Sequence, residues 1–431
     1  MTRILEAARR AKGCDLETWE TALRCAVLEA GAKALERLLE GIGCGRRPEQ
    51  IICSCGRPME SRGIKTKRLV SILGPVCYRR SLFQCPRCGA TRYPGDEQLD
   101  VVGTTRSPGL RRMIARSGAK QTFKETSKDL KELAGVSVSA KDAERVAEAV
   151  GEEMEAWSKT ERECLRVEHP PHESIGTLYI EYDGTGIPMV PEQLKGRKGK
   201  QPDGSAKTRE AKLGCVFTQT TLDPKGRPVR DPGSTTFVGA IETAREFGWR
   251  IYSEALRRGL RNAQRVVVLG DGAQWVINLA QTHFPRAVHI IDLYHVREHV
   301  HDLCTHLFGD DVRRLNRYRD RWWDLLDEGS IELIVQQATR LLSEDHNDYR
   351  HIRKEIRYLE RNKARMRYKT FKEQGLFIGS GVVEAGCKHL IGQRLKQSGM
   401  QWTLRGANAI LSLRCVTVSG RLEQYWEQRV A

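Results

Sequence analysis

The chain has 431 residues, room for two or three ordinary domains with at least one substantial core, so it is not a solvated tail. Lysine and arginine number 72 against 55 aspartate and glutamate, a formal net charge of +17 that favours polyanionic partners, nucleic acid first, through counterion release. Residues 1–20 hold no apolar run of signal-peptide length, and no later stretch approaches the ~18 apolar residues of a membrane span, so a cytoplasmic protein with no membrane contact is expected.

In chain order, Leu16, Trp19, Leu23, Val27, Ala30, Ala34 and Leu38 recur at intervals of three and four, which predicts a helix from Asp15 to Glu40. Residues 49–100 change character. Alternating runs around Leu69 to Cys77 and Tyr78 to Gln84, broken at Gly74-Pro75, predict a β-hairpin. It carries Cys53-Ser-Cys55-Gly56 and Cys85-Pro-Arg-Cys88-Gly89. The 13 cysteines of a chain without secretion signals are expected to be reduced, with clusters binding metal and single ones such as Cys25, Cys215 and Cys415 packing in cores. Cys53, Cys55, Cys85 and Cys88 offer four thiolates to a tetrahedral Zn²⁺, and the glycine after each pair permits the tight turn. Cys77 is an alternative ligand, although Val76 and Tyr78 mark it as a strand residue. Arg79, Arg80 and Arg87 surround the cysteines as a basic patch for DNA phosphates.

Residues 106–165 return to helical periodicity. Phe123 to Ala134, a turn from Gly135 to Val138, and Ser139 to Met154 read as helix, turn, helix, with Ser139 and Asp142 forming a capping-box-like start. This is the outline of a helix-turn-helix DNA reader and equally of an ordinary helical hairpin, since the second helix turns acidic at Glu144, Glu148, Glu152 and Glu153.

From Ile175 the pattern becomes α/β. Leu178, Ile180 and Tyr182 alternate with Tyr179, Glu181 and Asp183, a strand whose second face ends in carboxylates. Leu213 to Leu222 and Ser234 to Ala240 are further strand candidates, and Glu242 to Arg261 is helical. Val266 to Leu269 is a short buried strand leading into Gly270-Asp271-Gly272 and a helix, and Val288 to Ile291 repeats the arrangement before Asp292. Such alternation implies a central sheet with parallel strands. Residues 300–375 are helical and very basic, including Arg353, Lys354, Arg357, Arg361 and Arg365, and a last amphipathic segment covers 380–395. Lys195, Arg197 and Lys198 form another basic set, in a loop after the first of these strands. Trp322, Trp323 and Trp402 offer either stacking surfaces for unpaired bases or core packing.

Asp183 and Asp271 are read as ending two strands, and Glu384 lies on a helix introduced by Gly379-Ser380-Gly381. Strand ends on one sheet edge and a helix across that edge can gather all three carboxylates. They repel one another unless a hard divalent cation sits among them, and Mg²⁺ fits best. Paired ions of this kind support in-line displacement at phosphorus. Each residue also has a plain reading: Asp183-Gly184 and Asp271-Gly272 are good turn dipeptides, and Glu384 stands four residues before Lys388 as a helix-stabilising pair. Glu181, on the same strand face as Asp183, competes as a ligand.

Four stretches in order, Tyr179-Ile-Glu-Tyr-Asp-Gly-Thr-Gly-Ile-Pro-Met189, Leu269-Gly-Asp-Gly-Ala-Gln-Trp275, Ile291-Asp-Leu-Tyr-His295 and Ile378-Gly-Ser-Gly-Val-Val-Glu384, followed by Lys396-Gln-Ser-Gly-Met-Gln-Trp402, carry a resemblance. From near residue 50 onward the chain resembles DDE transposases of bacterial insertion sequences with a ribonuclease-H-like core, specifically the Kra-four family related to the Mutator-like group. The resemblance implies that Asp183, Asp271 and Glu384 are a triad binding Mg²⁺ or Mn²⁺, that residues of about 300–375 are a helical insertion, and that Asp292 and His295 form an Asp-x-x-His element near the active site, with His295 catalytic. His295 reads equally as a hydrogen-bonded helix histidine beside His299, and as a catalytic group it would orient a phosphate or carboxylate rather than bind metal. Lys396 joins the expected DNA contacts.

The expected architecture is a helical segment 1–48, a zinc-ribbon DNA-binding domain 49–100, a helical connector 101–172 and an α/β ribonuclease-H-like catalytic domain 173–431. The expected function is a bacterial, nucleoid-associated transposase that acts as a homo-oligomer on double-stranded DNA, at transposon ends and at the target. The alternatives are an inactive, transposase-derived DNA-binding protein and a plain nuclease with the same site.

Overall fold

The computed structural model describes residues 15–42, 50–167, 174–199 and 201–430. Residues 1–14 and 43–48 of the expected N-terminal segment lie outside them. The chain divides into two compact units, residues up to Val150 together with those from Trp426, and Gly151–Tyr425.

In the first unit, helix α1 (Leu16–Ile42) lies on a hairpin of β1 (Glu60–Ser71) and β2 (Gly74–Gln84). Its packed face is Ala32, Leu35 and Leu39 against Leu69, Val76 and Tyr78. The row Leu16, Trp19, Leu23, Val27 and Leu38, expected from its spacing to pack inward, stays exposed. Gly31 lies on the packed side, where a Cβ would meet Leu73 at ordinary contact distance, 3.4 Å. The hairpin turns at Ile72-Leu73, because Ser71 pairs with Gly74, so Gly74-Pro75 opens β2 instead of forming the turn. Strand β3 (Thr91–Arg92) extends the sheet, followed by α2 (Pro94–Gln98), α3 (Pro108–Gly118) and α4 (Phe123–Ala134). Gly135, at φ +68°, ends α4 in a left-handed conformation. Ser139 caps α5 (Ala140–Val167) by accepting the Asp142 N–H, and this helix runs well past the expected end at Met154. At the start of α5, Lys141 pairs with Glu144 and Arg145 with Asp142, so the cations offered for a helix-turn-helix contact are held within their own helix.

The second unit is built on a mixed five-stranded sheet in the order β10-β9-β4-β5-β8. Its strands are β4 (Ile175–Pro188), β5 (Thr208–Gln219), β8 (Thr236–Ala240), β9 (Ala263–Gly270) and β10 (Val288–Ile291), with a minor hairpin of β6 (Thr221–Leu222) and β7 (Pro228–Val229). Strands β4, β9 and β10 are parallel, whereas β5 and β8 are antiparallel to their neighbours. Connectivity explains the mixture. Strands β9 and β10 are each preceded by a crossover helix, α6 (Ala244–Arg257) and α7 (Gln274–His283), while β5 and β8 follow their predecessors without a crossover α-helix and return antiparallel.

Alternation in β4 separates two faces. Leu178, Ile180 and Tyr182 bury against Phe247 and Ile251 of α6 and Val276 and Leu279 of α7. The other face carries Tyr179, stacked on Phe217 at 4.9 Å, then Glu181 and Asp183. After β10 come α8 (Leu293–Phe308), α9 (Val312–Asp327), α10 (Ile331–Leu341), α11 (Tyr349–Asn362) and α12 (Tyr368–Glu373), with no strand. The chain then returns to the sheet with α13 (Gly381–Gly386), which continues through a π-helical turn (Cys387–Gly392) into α14 (Gln393–Leu395), and finishes with α15 (Leu404–Val418) and α16 (Leu422–Val430). Trp322 is buried with Nε1–H on Gln337, Trp402 is buried with Nε1–H on the Leu395 carbonyl, and Trp323 donates to the Arg297 carbonyl, so all three act in packing. No helix among the described residues is long and apolar enough to cross a membrane.

Candidate active site and thiolate cluster

Strand register decides which carboxylates can meet. Glu181 of β4 pairs with Leu269 of β9, and Gly270 of β9 pairs with Ile291 of β10. Continuing these parallel offsets sets Asp183 opposite Asp271 and Asp271 opposite Asp292. The three aspartates therefore lie just past the last parallel pairs, Asp183 still within β4 and Asp271 and Asp292 in the segments that follow β9 and β10. Asp183 does not end its strand, as the sequence had suggested. Pairing of β4 with β5 continues through Asp183 and Leu213 to Pro188 and Thr208, because the antiparallel partner outlasts the parallel one. Asp271 does lie in a turn: its Oδ1 accepts the Ala273 N–H at 2.9 Å, and Gly272 takes φ +78°.

Glu384 reaches these aspartates from α13, which packs over β4 and β5. The Asp183 carboxyl is pushed above its ordinary value, first by burial and then by the negative charges of Asp271 and Glu384, while the Gly184 N–H and the Cys387 thiol donate to it and oppose the shift. The three carboxylates are thus close enough to feel one another. Their oxygens do not converge on a point as the four thiols of the first unit do, consistent with their like charge.

Two further acids hold Glu384 in position. Asp292 is buried; its Oδ1 caps α8 by accepting the His295 N–H at 2.8 Å, and its Oδ2 accepts the Ser380 N–H at 2.5 Å. The Ser380 hydroxyl lies 3.0 Å from Asp292 Oδ2 and 3.1 Å from Glu384 Oε1, so its one proton is shared between a buried carboxylate and an exposed one. Glu384 bonds back to Ser380, and no ion pair with Lys388 forms among the described residues. Glu181 is fully buried, with Oε2 accepting the Val383 N–H at 2.9 Å and Oε1 lacking a partner among the described residues. Burial raises its carboxyl to about 8, opposed by the Val383 N–H and reinforced by Asp292 and Glu384. At neutral pH it is mostly a protonated acid bracing α13, and a weak competitor for a cation.

His295 is partly exposed and shares a cavity wall with Asp271; its Nδ1 lies 3.6 Å from Glu298. Lys396 is exposed, and its ammonium donates to Thr185 Oγ1, two residues beyond Asp183 on β4. Lys195, Arg197 and Lys198 are exposed in the β4–β5 loop, with no acidic partner among the described residues. In the first unit Arg79 and Arg87 are exposed, but Arg80 turns inward to Asp96, with its guanidinium 3.7 Å from the centre of the Tyr93 ring. Sequence reasoning missed the bracing role of Glu181, the Ser380 link and the Cys387 thiol. The three-residue step from Glu384 to Cys387 was the one available signal for the last of these.

Cys53, Cys55, Cys85 and Cys88 have their sulfurs all within 4.8 Å of one another, a set that could hold one zinc ion. Each pair sits in a tight turn: Gly56 N–H donates to Cys53 O at 2.8 Å and Gly89 N–H to Cys85 O at 3.0 Å, with both glycines at positive φ. Backbone N–H groups of Cys55 and Cys88 favour thiolate at Cys53, lowered to about 6, and at Cys85. Cys77 stands apart on β2, its N–H bonded to Glu36.

Residues 234–429 match the uncharacterised protein family UPF0236. That segment contains Asp271, Asp292, His295 and Glu384, and begins after Asp183 and the four clustered cysteines. Two UPF0236 proteins of Caldanaerobacter subterraneus subsp. tengcongensis are each 20% identical to the chain, one match covering 90% of it and 75% of the relative, the other 82% and 68%. A UPF0236 protein of Streptococcus gallolyticus is 23% identical over 84% of this chain and 75% of its own length. Among solved structures, the Drosophila P element transposase strand transfer complex matches at 10% identity over 77% of this chain and 84% of that one, with a TM-score of 0.25, too slight a likeness to carry an argument.

Metal analysis of protein purified without added zinc should find about one Zn per chain, lost when Cys85 and Cys88 are replaced by Ser; a metal-free wild type with a fully folded first unit would overturn the assignment. Glu181 yields a pH prediction. Its folded carboxyl titrates near 8 against an ordinary 4.5, so its contribution to stability is full below 4.5 and is lost as pH rises toward 8. Glu181→Gln keeps the acceptor for Val383 without the charge, and its melting temperature should gain on wild type steadily across that window. Parallel melting curves at every pH would show that the buried acid is not titrating there.

Proposed function

We propose that the chain is a DDE transposase, with Asp183, Asp271 and Glu384 holding divalent cations at a ribonuclease-H-like core of the kind implied by its resemblance to the Kra-four group. The observation that carries this reading is that Asp183 on β4 feels the charge of Asp271, in the turn just past the parallel strand β9, and of Glu384, brought over β4 by a helix braced from two sides. Hard oxygen donors with mutually unfavourable charge suit Mg²⁺ or Mn²⁺, and Asp271 and Glu384 add to the burial that raises the Asp183 carboxyl. Such a cation supplies Lewis acidity at the scissile phosphate.

The chain's own residues do the remaining work. Strand β4 fixes Asp183, the turn after β9 holds Asp271 through the Ala273 N–H, and Asp292 through Ser380 holds Glu384, so only side-chain movements remain for binding a cation. His295, reachable from solvent on the Asp271 side, orients a phosphate oxygen. Lys396 and the loop of Lys195, Arg197 and Lys198 bind flanking phosphates. Water attacks phosphorus in line and the displaced deoxyribose 3′ oxygen leaves, protonated, as a 3′-hydroxyl, which then attacks a target phosphodiester and displaces a second 3′ oxygen. No covalent protein intermediate is formed. In this scheme the Cys53, Cys55, Cys85 and Cys88 zinc ribbon, within a 49–100 domain, grips the transposon end through Arg79 and Arg87, a 101–172 connector follows, and 173–431 is catalytic. Paired ends call for a homo-oligomer on DNA.

Replacing Asp183 or Asp271 with Asn, or Glu384 with Gln, should each lower cleavage of end-containing DNA by roughly 10³-fold or more with DNA binding retained, and double changes should add little because the ligands act as one unit. Normal cleavage by the Asp271→Asn protein would sink the reading. Cleavage without strand transfer would leave a nuclease in its place. DNA affinity should fall by roughly 10³-fold or more between ~50 and ~200 mM salt, and alanine at Arg79 and Arg87 should reduce the slope of log K against log salt by about 2. Salt-independent affinity contradicts the electrostatic account.

A further inference from the structure

A cavity of about 930 Å³ opens between the Asp271 turn and helix α11. Helix α11 has two unlike faces. Ile352, Ile356 and Leu359 are buried, whereas Arg350, Arg353, Lys354, Arg357 and Arg361 are exposed and line the cavity. The cations recur every three or four residues, so Arg350 and Arg361 stand ~16 Å apart along the axis at 1.5 Å per residue. Arg353 is bonded to the Tyr349 hydroxyl, and Lys354 lies 3.6 Å from Glu355. Arg350, Arg357 and Arg361 have no acidic partner among the described residues, and Asp271 is the one carboxylate in the described wall.

The stripe is fixed relative to the candidate active site. The Tyr358 hydroxyl, on the same helix, reaches the Asp271 backbone carbonyl at 3.4 Å, and its ring stacks on His299 at 4.0 Å. Gly272 is what admits it, since a Cβ there would come within 2.5 Å of that hydroxyl. The row of guanidinium groups therefore runs alongside Asp271 in one cavity wall. Like charges held this close without counter-charges call for an anion with repeated negative groups.

We propose that this groove binds the sugar–phosphate backbone of a single DNA strand leading away from the phosphate at Asp271, with Arg350, Arg357 and Arg361 as its phosphate contacts; this rests on the transposase reading above. The shape of the groove favours one strand: its 930 Å³ lie along a single row of cations on one helix face, a mean cross-section of roughly 60 Å², which seats one sugar–phosphate backbone and does not enclose a duplex. The groove thus holds DNA that has parted from its complement next to the site of cutting.

The test uses the full chain with its zinc retained, in buffer without added Mg²⁺ or Mn²⁺, where binding does not depend on cleavage. The probes are a fluorescent blunt duplex and the same duplex carrying an unpaired overhang of about eight nucleotides, of either polarity. Wild type should prefer one overhang by ten-fold or more. Arg350→Gln, Arg357→Gln and Arg361→Gln together should remove that preference, lower the salt slope for the overhang probe by about 2, and leave blunt-duplex affinity unchanged. The triple Arg→Lys variant should retain the slope, which separates lost charge from a misfolded helix. Equal losses on both probes, or an unchanged preference, overturn the groove assignment. A wild-type chain that binds neither probe sinks the transposase reading itself.

Discussion

Everything at the candidate active site depends on one electrostatic constraint: parallel strands in register bring their carboxyl ends level, so acids placed there must either share a cation or be neutralised. Asp183, Asp271 and Asp292 lie just past the last parallel pairs, with Glu181 two residues before Asp183 and Glu384 on the helix that covers β4 and β5. The fold treats them differently. Asp292 is consumed by hydrogen bonds to His295 and Ser380, and Glu181 is buried until its carboxyl favours the protonated form near neutrality. Asp183, Asp271 and Glu384 keep access to solvent and to one another's charge. Burial and hydrogen bonding thus divide five acids into supports and candidate ligands.

The supports act on a helix that is irregular where it meets the site. Glu384 sits in the short helix that widens into a π-helical turn at Cys387, and the widened turn lets the Cys387 thiol donate to Asp183. Glu181 and Asp292 grip the start of this helix at Val383 and Ser380. Movement of α13 would therefore disturb the ligand and its supports together.

Legibility in the sequence followed interaction range. The cysteine pairs were readable because a metal knuckle is local, and their four sulfurs do cluster. The strand of Leu178, Ile180 and Tyr182 was readable because burial of one face imposes strict alternation. What failed to show depends on partners distant in the chain. The strand seen to end at Asp183 continues because β5 pairs beyond it, and the hydrophobic row of α1 stays exposed because the hairpin packs instead against the neighbouring face of Ala32, Leu35 and Leu39. Arg80, counted with the surface cations, turns toward an aspartate 16 residues away, Asp96. Glu181 could not be told from a ligand by spacing, since its role is set by complete burial and by the Val383 N–H, which comes from 202 residues away.

The most direct measurement is anomalous diffraction from crystals of the protein soaked in Mn²⁺. The account predicts a manganese peak within bonding distance of carboxylate oxygens of both Asp183 and Asp271, with Glu384 drawn toward it and Glu181 and Asp292 unmoved. Manganese bound at exposed acids elsewhere, with none between Asp183 and Asp271 at saturating concentration, would contradict it.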